Sequence, residues 1–510
     1  MIKLTDAIHQ HPTRTFLAFL TLHAVVWTAL PALFFINLPL DLIEGLIYGR
    51  EWQLGYDKLP PLPWWMIEAT YQVFGLDLFF YALSQLTVLA AFALIWVMAR
   101  QLVGPVGALV AILIIDGMHY FTFTASKFNH DVAQLPFWAL NGFAYWAALR
   151  GGRTVHWALL GFGIGMAVWA KYFVVVQAVP LVLFGLFDRD ARKSLATPGP
   201  WIAVAVALMV IAPHLVWLMQ NGFLPFTYAD ARALQFKKSI DYLIKPSRFV
   251  LSQLGFLLPS LLIAAPYLRR DVRAPETAAK SELHKSELEA SATAFDRRIV
   301  TLLAFGPVAM LVLLSVDTGR DAVPLWGYPL WLFLGLWIVL NARPLERVTL
   351  WRIGFLWGAV FISTAVAFVV DYDISQRFRP RYTAVVYPGK QLGAEMSRRY
   401  RELTGQPLAY VIGTMWLSGN IAHYAPEQPR VLIDGSPERA PWIDLDDLRA
   451  RGAVLVWIAG DATVLPPIFR AVAGDAEIQP GLTLTLHLGV GVTRVGWALL
   501  RPRPRGGAEK

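Results

Sequence analysis

Long apolar runs separated by short polar segments fill the first 371 residues. They lie near 15–37, 78–99, 104–122, 132–149, 155–170, 172–187, 200–220, 249–268, 299–316, 324–341 and 351–371. At 1.5 Å rise per residue, about 17–22 helical residues cross a hydrocarbon core of roughly 30 Å with some tilt. The pattern therefore predicts an all-α membrane part over 1–371 with about eleven transmembrane helices. The fifth and sixth runs are short and meet at Lys171, so one long helix is the alternative to two spans there. From about Tyr372 the pattern changes. Residues 390–404 follow the period of an amphipathic helix. Leu408–Gly413, Arg430–Asp434 and Ala453–Ile458 have the length of buried strands, with Met415–Tyr424 a helix between the first two. Leu482–Leu488 and Gly491–Leu499 alternate as a terminal hairpin. The strand–helix–strand order predicts a small soluble α/β domain over 372–510.

Composition agrees with lipid as the solvent. Hydrophobic residues make up 56% of the 510 and charged residues only 16%, against roughly 45–50% and about 25% in soluble domains. The 20 Trp and 17 Tyr suit the membrane interface. With no cysteine, disulfides, thiolate catalysis and zinc–thiolate sites are excluded. The polar segment Met1–Arg14 precedes a run long enough to span, so no cleavable signal peptide is expected.

Charge placement sets the expected orientation. With the N-terminus cytoplasmic, the inside segments carry 18 Lys and Arg and the outside segments up to residue 371 carry ten, as the positive-inside rule requires. Eleven spans then put the C-terminal domain outside. Five of the ten outside cations fall in the loop 221–248. That loop is read either as a holder of lipid phosphates or as a headgroup-solvated surface. Asp271–Phe295 is charge-mixed and reads as a flexible or partly helical connector.

The outer loops carry the candidate chemistry. Asp41 stands where the first span leaves the membrane, and Glu44, three residues on, shares its face if the segment is helical. A carboxylate held there against apolar surface suits a general base. It would equally cap a helix over Leu42–Trp52. In the second loop, Ser126-Lys127-Phe128-Asn129-His130-Asp131 precedes an apolar helix, so Asp131 is either a second acid or that helix's cap. His130 is read as a proton-transfer or metal-ligating group, or as an interface residue. Asp116 and His119, three apart in the outer half of the third span, are read as a pair lining a cavity or as a buried structural pair. Lys171, Arg320, Arg232, Lys237 and Lys238 lie in or beside outer loops.

The first loop resembles that of the family 39 group of GT-C glycosyltransferases, which includes protein O-mannosyltransferases, aminoarabinose transferases acting on lipid A, and rhizobial galacturonosyltransferases. The group's pattern is an Asp-Glu-Ala-x-Tyr-Trp-x-Trp run, Gly-Tyr fourteen residues after the Asp, then His/Lys-Pro-Pro-Leu. Here Asp41 precedes Gly55-Tyr56 by fourteen residues, Tyr48 matches the second aromatic, and Pro60-Pro61-Leu62 follows. Two positions depart. The group's Glu is Leu42, with Glu44 nearest, and its basic residue before Pro-Pro is Leu59, beside Lys58.

The resemblance implies a membrane glycosyltransferase of GT-C type, using a sugar on a polyprenyl phosphate, undecaprenyl by expectation. It moves the sugar to an envelope acceptor such as lipid A, another glycolipid, a polysaccharide or a protein. It further implies inverting displacement at the anomeric carbon. Asp41 would be the catalytic base, with Asp131 and Glu44 orienting the acceptor. Lys58, Lys171, Arg232, Lys237, Lys238 and Arg320 would hold the leaving phosphate. Asp116, His119, Asn129, His130 and Tyr56 would line the acceptor cavity. No Walker or Rossmann Gly-rich loop is present. No cofactor is required, and a divalent metal would be held through Asp41, Asp131 and His130. The rival is a lipid or solute transporter or flippase, which predicts repeated halves with broken helices. The sequence shows no such repeat.

Overall fold

The structure is a computed structural model that describes residues 8–232, 235–268, 292–342, 347–379, 381–458 and 461–503. The chain divides into two compact units. One comprises Met1–Leu30, Lys58–Pro60 and Tyr81–Ala367, and the other Pro31–Asp57, Pro61–Phe80 and Phe368–Lys510.

Helices make up the first unit, as they must where lipid offers no partner for a free peptide group. Those relevant below are α1 (Pro12–Phe34), α2 (Leu40–Gly49), α3 (Leu62–Phe74), α4 (Leu78–Asp116), α5 (Leu135–Gly151), α6 (Thr154–Ala170), α7 (Val175–Phe187), α8 (Gly199–Gln220), α9 (Leu224–Arg232), α10 (Asp241–Leu268), α11 (Ala294–Thr318), α12 (Leu334–Asn341) and α13 (Arg347–Val369). Of these, α2 and α3 belong to the second unit. Among the described residues, six helices are long and apolar enough to cross a bilayer: Pro12–Phe34, Leu78–Asp116, Gly199–Gln220, Asp241–Tyr267, Ala294–Thr318 and Thr349–Phe378. The protein is an integral membrane protein. Along α8 the large apolar residues Trp201, Leu208, Met209 and Met219 are exposed, the arrangement expected where lipid is the neighbour.

Three details refine the sequence reading. The second and third apolar runs are the two helical arms of α4, which meet at a kink at Gly104 (φ 71°, ψ 168°) before Pro105, and the second arm ends at Asp116, short of the run's end at 122. The fifth and sixth runs are two helices, because Lys171 is extended (φ −165°, ψ 133°) and separates α6 from α7. The tenth run forms only the eight-residue α12, preceded by a 3-10 turn at Pro324–Gly327. Prolines and Gly327 break the helix there. The Pro324 carbonyl is satisfied by Gln253 Nε2 at 3.0 Å and lies 2.8 Å from the Tyr120 hydroxyl. Irregular backbone at such a place is tolerable only when side chains complete its hydrogen bonds. The connector predicted over 271–295 lies outside the described residues up to 291. Its end is already α11's cap: Thr293 Oγ1 accepts from Asp296 N–H, and Asp296 Oδ2 accepts from Thr293 N–H.

Small residues bring α6 and α8 together. A side chain at Gly161 would collide with the Ala203 carbonyl, and one at Gly165 with Val210, so this Gly-x-x-x-Gly face packs backbone on backbone. Gly161→Leu is expected to separate the two helices and cost about 1–3 kcal/mol or more, measurable as a lowered Tm in detergent.

In the second unit the C-terminal part has α14 (Gly389–Thr404), α15 (Met415–Tyr424), α16 (Leu445–Arg451) and five strands: β1 (Tyr410–Gly413), β2 (Arg430–Ile433), β3 (Ala453–Ile458), β4 (Glu477–Thr485) and β5 (Val492–Leu500). The sheet order is β2-β1-β3-β5-β4, with β1 parallel to β2 and β3, and β5 antiparallel to β3 and β4. The sequence places these elements to within a few residues. β4 begins five residues earlier than the alternation alone indicates.

Candidate functional site

The loop bearing Asn129, His130 and Asp131 supplies the best-defined constellation of the first unit. Asn129, not Asp131, caps the short helical turn His130–Ala133: its Oδ1 accepts from the N–H groups of Asp131 (2.9 Å) and Val132 (3.1 Å). That frees the Asp131 carboxylate for side-chain partners. Lys171 Nζ donates to Asp131 Oδ1 at 2.6 Å and Gln134 Nε2 donates to the same oxygen at 3.1 Å. Both members of the ion pair are mostly buried, with side chains 14% and 17% exposed. The pair exists because the extended residue between α6 and α7 turns the Lys171 side chain toward the second loop. The Lys171 ammonium also lies 5.6 Å from the Phe173 ring and 5.9 Å from that of Trp326. Aromatic faces and one carboxylate thus hold it in place.

His130 stands beside this pair. Its Nε2 lies 3.1 Å from the Pro60 carbonyl. A carbonyl only accepts, so Nε2 carries the hydrogen. Burial pushes the imidazole pKa down to about 3, helped by the Lys171 and Lys58 charges. His130 is therefore neutral, which corrects its reading as a proton-transfer group in neutral solution. The unfolded chain binds this proton near pH 6.5. Folding stability is therefore complete above that value and falls as the pH drops toward 3. His130→Gln removes this term. Relative to the wild type, the variant's Tm is expected to improve as the pH is lowered from about 7 to about 4.5.

The remaining cations fall into two groups. Arg320 is bound by Asp230, and Asp321 binds Lys245 (2.9 Å) and lies 3.6 Å from Arg248. The cationic loop is thus partly neutralised by acids, and Arg320 is not an uncommitted cation. Lys237 and Lys238 are exposed. Their backbone N–H groups bind Asp241 Oδ2. Lys58 lies 6.0 Å from the Tyr228 ring. The side chain of Arg232 lies outside the described residues.

Asp116 does not pair with His119. Its Oδ1 is 2.7 Å from His23 Nδ1 and its Oδ2 accepts from Trp357 Nε1 at 2.7 Å. His119 stacks on Phe123. His23 Nε2 lies 3.1 Å from Gln85 Oε1, and Gln85 Nε2 donates to the Ala125 carbonyl at 3.0 Å. The costly intramembrane carboxylate is thus part of a buried network that ties α1, α4 and α13 to the loop leading to Asp131.

The second unit holds Asp41, Glu44 and Tyr56. α2 begins at Leu40 with Pro39 at its N-cap, so Asp41 sits in the first turn and is not the cap. Asp41 is exposed and Glu44 buried, which corrects the expectation that Asp41 is pressed against apolar surface. Tyr56 is fully buried and donates to the Tyr48 carbonyl at 2.6 Å. It packs with Tyr48, Trp64 and Trp442, so it fixes the loop's shape and does not line an open cavity. Burial, and then the Asp57 charge, raise the Tyr48 hydroxyl pKa well above its usual value. That phenol is a neutral donor. Among the described residues no group of three or more His, Asp or Glu side chains is arranged to hold a metal ion.

The chain is similar to several known proteins. The sequence profile of the dolichyl-phosphate-mannose-protein mannosyltransferase family matches residues 58–217. The lipopolysaccharide core galacturonosyltransferase RgtB of Rhizobium johnstonii is 24% identical over 445 residues, covering 84% of this chain and 85% of that protein. The chain is similar to these glycosyltransferases. An undecaprenyl phosphate-alpha-4-amino-4-deoxy-L-arabinose arabinosyl transferase of Pseudomonas paraeruginosa is 29% identical over 188 residues, 33% of each chain. The crystal structure of ArnT from Cupriavidus metallidurans bound to undecaprenyl phosphate superposes with a TM-score of 0.61 at 13% identity, covering 97% of this chain and 99% of that one. The GT-C fold is therefore shared along almost the whole chain.

Sequence reasoning for this family missed Gln134, Trp326 and Phe173 as partners of the site, and Asp230 and Asp321 as counter-charges. The Arg320-Asp321 dipeptide and Asp230 inside the cationic loop were the available signals for the last two.

Proposed function

We propose that this chain is an inverting glycosyltransferase of the bacterial inner membrane. It takes a sugar from a polyprenyl phosphate, of undecaprenyl type, and gives it to a hydroxyl or phosphate of an envelope glycolipid at the periplasmic face. The observation that carries the reading is the Lys171–Asp131 pair, a fixed cation beside an acid at an outer loop, in a chain whose full-length relatives transfer sugars. The acceptor oxygen attacks the anomeric carbon as its proton passes to Asp41. The bond from that carbon to the phosphate oxygen breaks, and the electron pair leaves with the polyprenyl phosphate. Lys171 and Lys58, with Lys237 and Lys238, neutralise the charge that builds on this phosphate. Asp131 and Glu44 orient the acceptor.

Likeness to RgtB over 84% of the chain supports a uronic acid as the sugar and lipopolysaccharide core or lipid A as the acceptor. Residues 372–510 are taken as the periplasmic domain. No metal is assigned. The transporter reading is not favoured, because no repeated halves are present and the relatives are transferases.

The test is transfer of radiolabelled sugar from polyprenyl-phosphate donors carrying galacturonic acid, aminoarabinose or mannose to endogenous lipid acceptors. Membranes would contain the wild type or Asp41→Asn at matched folded levels. Transfer by the wild type alone supports the reading, and the donor used names the sugar. No transfer from any donor, with the labelled lipid instead moved across the bilayer, overturns it in favour of a flippase.

A further inference from the structure

α2 carries Asp41, yet it has only ten residues, and Pro39 gives it no side-chain cap. A helix of this length is marginal on its own, so contacts from elsewhere in its unit must set its pose. The neighbouring α3 supplies part of them: Tyr48 stacks on Trp64, and Gly45 and Gly49 lie against Trp64, Ile67 and Glu68. Four more come from residues 419–439 of the α/β part. Ile43 and Ile47 lie on Gly419, where any side chain would collide with both. Arg50 Nη1 donates to the carbonyls of Gln428 (2.9 Å) and Pro429 (3.3 Å). Arg430 holds Glu51 through Nη2 at 2.6 Å and Nε at 3.2 Å.

The fourth contact involves the most partners. The Tyr48 hydroxyl donates to Asp57 Oδ1 at 2.7 Å, and Arg439 Nε donates to Asp57 Oδ2 at 2.9 Å. Arg439 Nη1 binds Asp434, and Nη2 lies 3.4 Å from the Tyr48 hydroxyl. One guanidinium thus joins the turn after β2, the end of α2 and the residue that precedes Lys58. Tyr48 is fully buried, and the Asp57 side chain is 12% exposed. Tyr48 follows Asp41 by seven residues, close to two helical turns, so the two share a face. Whatever fixes the Tyr48 hydroxyl fixes the rotation of α2 about its axis, and with it the direction of the Asp41 carboxylate.

We propose that Arg439 is a positioning residue. By clasping Asp57 and Tyr48, it makes the C-terminal α/β part the holder of the loop that bears the base. The proposal rests on the assignment of Asp41 as that base. It gives the α/β part a task in the reaction that needs no substrate contact. Misplacing a reacting group by about 1 Å costs on the order of 100-fold in rate. Arg439→Ala is therefore expected to lower kcat by about 10- to 100-fold while the donor KM stays unchanged. Arg439→Lys recovers part of the loss, because one ammonium cannot meet three acceptors in a planar fork.

The chain has no cysteine, so Leu40→Cys offers a single site for a nitroxide label beside Asp41, at an exposed position. In the full-length protein in nanodiscs, the label's electron paramagnetic resonance line shape reports the motion of α2 without any substrate. The kcat is measured in unlabelled protein, with the donor that the wild type turns over. Greater label mobility together with lower kcat in Arg439→Ala, both partly reversed in Arg439→Lys, supports the proposal. An unchanged line shape overturns it whatever the rate does. Greater mobility with unchanged kcat also overturns it. If Arg439→Ala does not fold, Asp57→Asn is read in the same way, since it keeps a side chain for Tyr48 while weakening the tie to Arg439. Asp41→Asn in the same transfer assay separates the two claims. Retained transfer there removes Asp41 as the base, while the line shape still reports whether Arg439 holds the helix.

Discussion

Asp41→Asn is expected to lower sugar transfer by about 10²–10⁴-fold, the usual contribution of a positioned general base. The substitution keeps the size of the side chain and its place in the first turn of α2. Asp41 is an exposed first-turn residue and not the N-cap, so the fold is expected to survive. The loss should fall on kcat, because the carboxylate meets the acceptor proton only as the new bond forms. Steady-state transfer in proteoliposomes, with a matched thermal unfolding curve, checks both parts. Near wild-type transfer would move the base to Glu44 or Asp131. The same loop-borne helix carries Glu44, so a double substitution would then decide between them.

Lys171→Ala carries the second-largest expected effect, because it acts on two levels. Removing one fixed donor aimed at developing charge costs about 10²–10³-fold in rate. It also leaves Asp131, mostly buried, with Gln134 as its remaining side-chain donor of those described above. A carboxylate so deprived costs about 1–3 kcal/mol, reduced here by its residual exposure. Asp131→Asn should be milder in rate, since it leaves the cation in place. The double variant Lys171→Ala/Asp131→Asn should regain most of the stability lost in Lys171→Ala and none of the rate. Tm and kcat measured across this cycle separate the structural use of the pair from its use toward phosphate. Equal rate losses in both single variants would mean that the pair serves mainly to shape the loop.

Local information carried a large part of this fold. The apolar runs located the helices, because a segment crossing lipid must satisfy its own backbone and therefore needs length and hydropathy that show in any short window. The α/β elements were equally legible: Met415–Tyr424 and Ala453–Ile458 fall where their periodicity puts them. The failures share a cause. The tenth run has the composition of a span, but Gln253 of α10 and Tyr120 of the turn after α4 complete the hydrogen bonds of its broken backbone, and nothing near it in sequence announces them. Asp116 and His119 are neighbours by helical spacing. The tertiary structure instead supplied His23 and Trp357, which lie 93 and 241 residues from Asp116.

The candidate site divides in the same way. The sequence by itself indicated a membrane protein, the helical and α/β elements, and two loops bearing Asp41 and Asp131, the first resembling that of a known glycosyltransferase group. These are properties of composition, of period, and of residues close together in the chain. Only the tertiary structure decided that Asp131 answers to Lys171, forty residues away, that His130 is neutral, that Arg320 is already held by Asp230, and that the turn after β2 grips the end of α2. Each of these depends on which groups the fold brings together and how deeply it buries them. Distance and burial set the strength of a charge interaction, and neither can be read from positions along the chain.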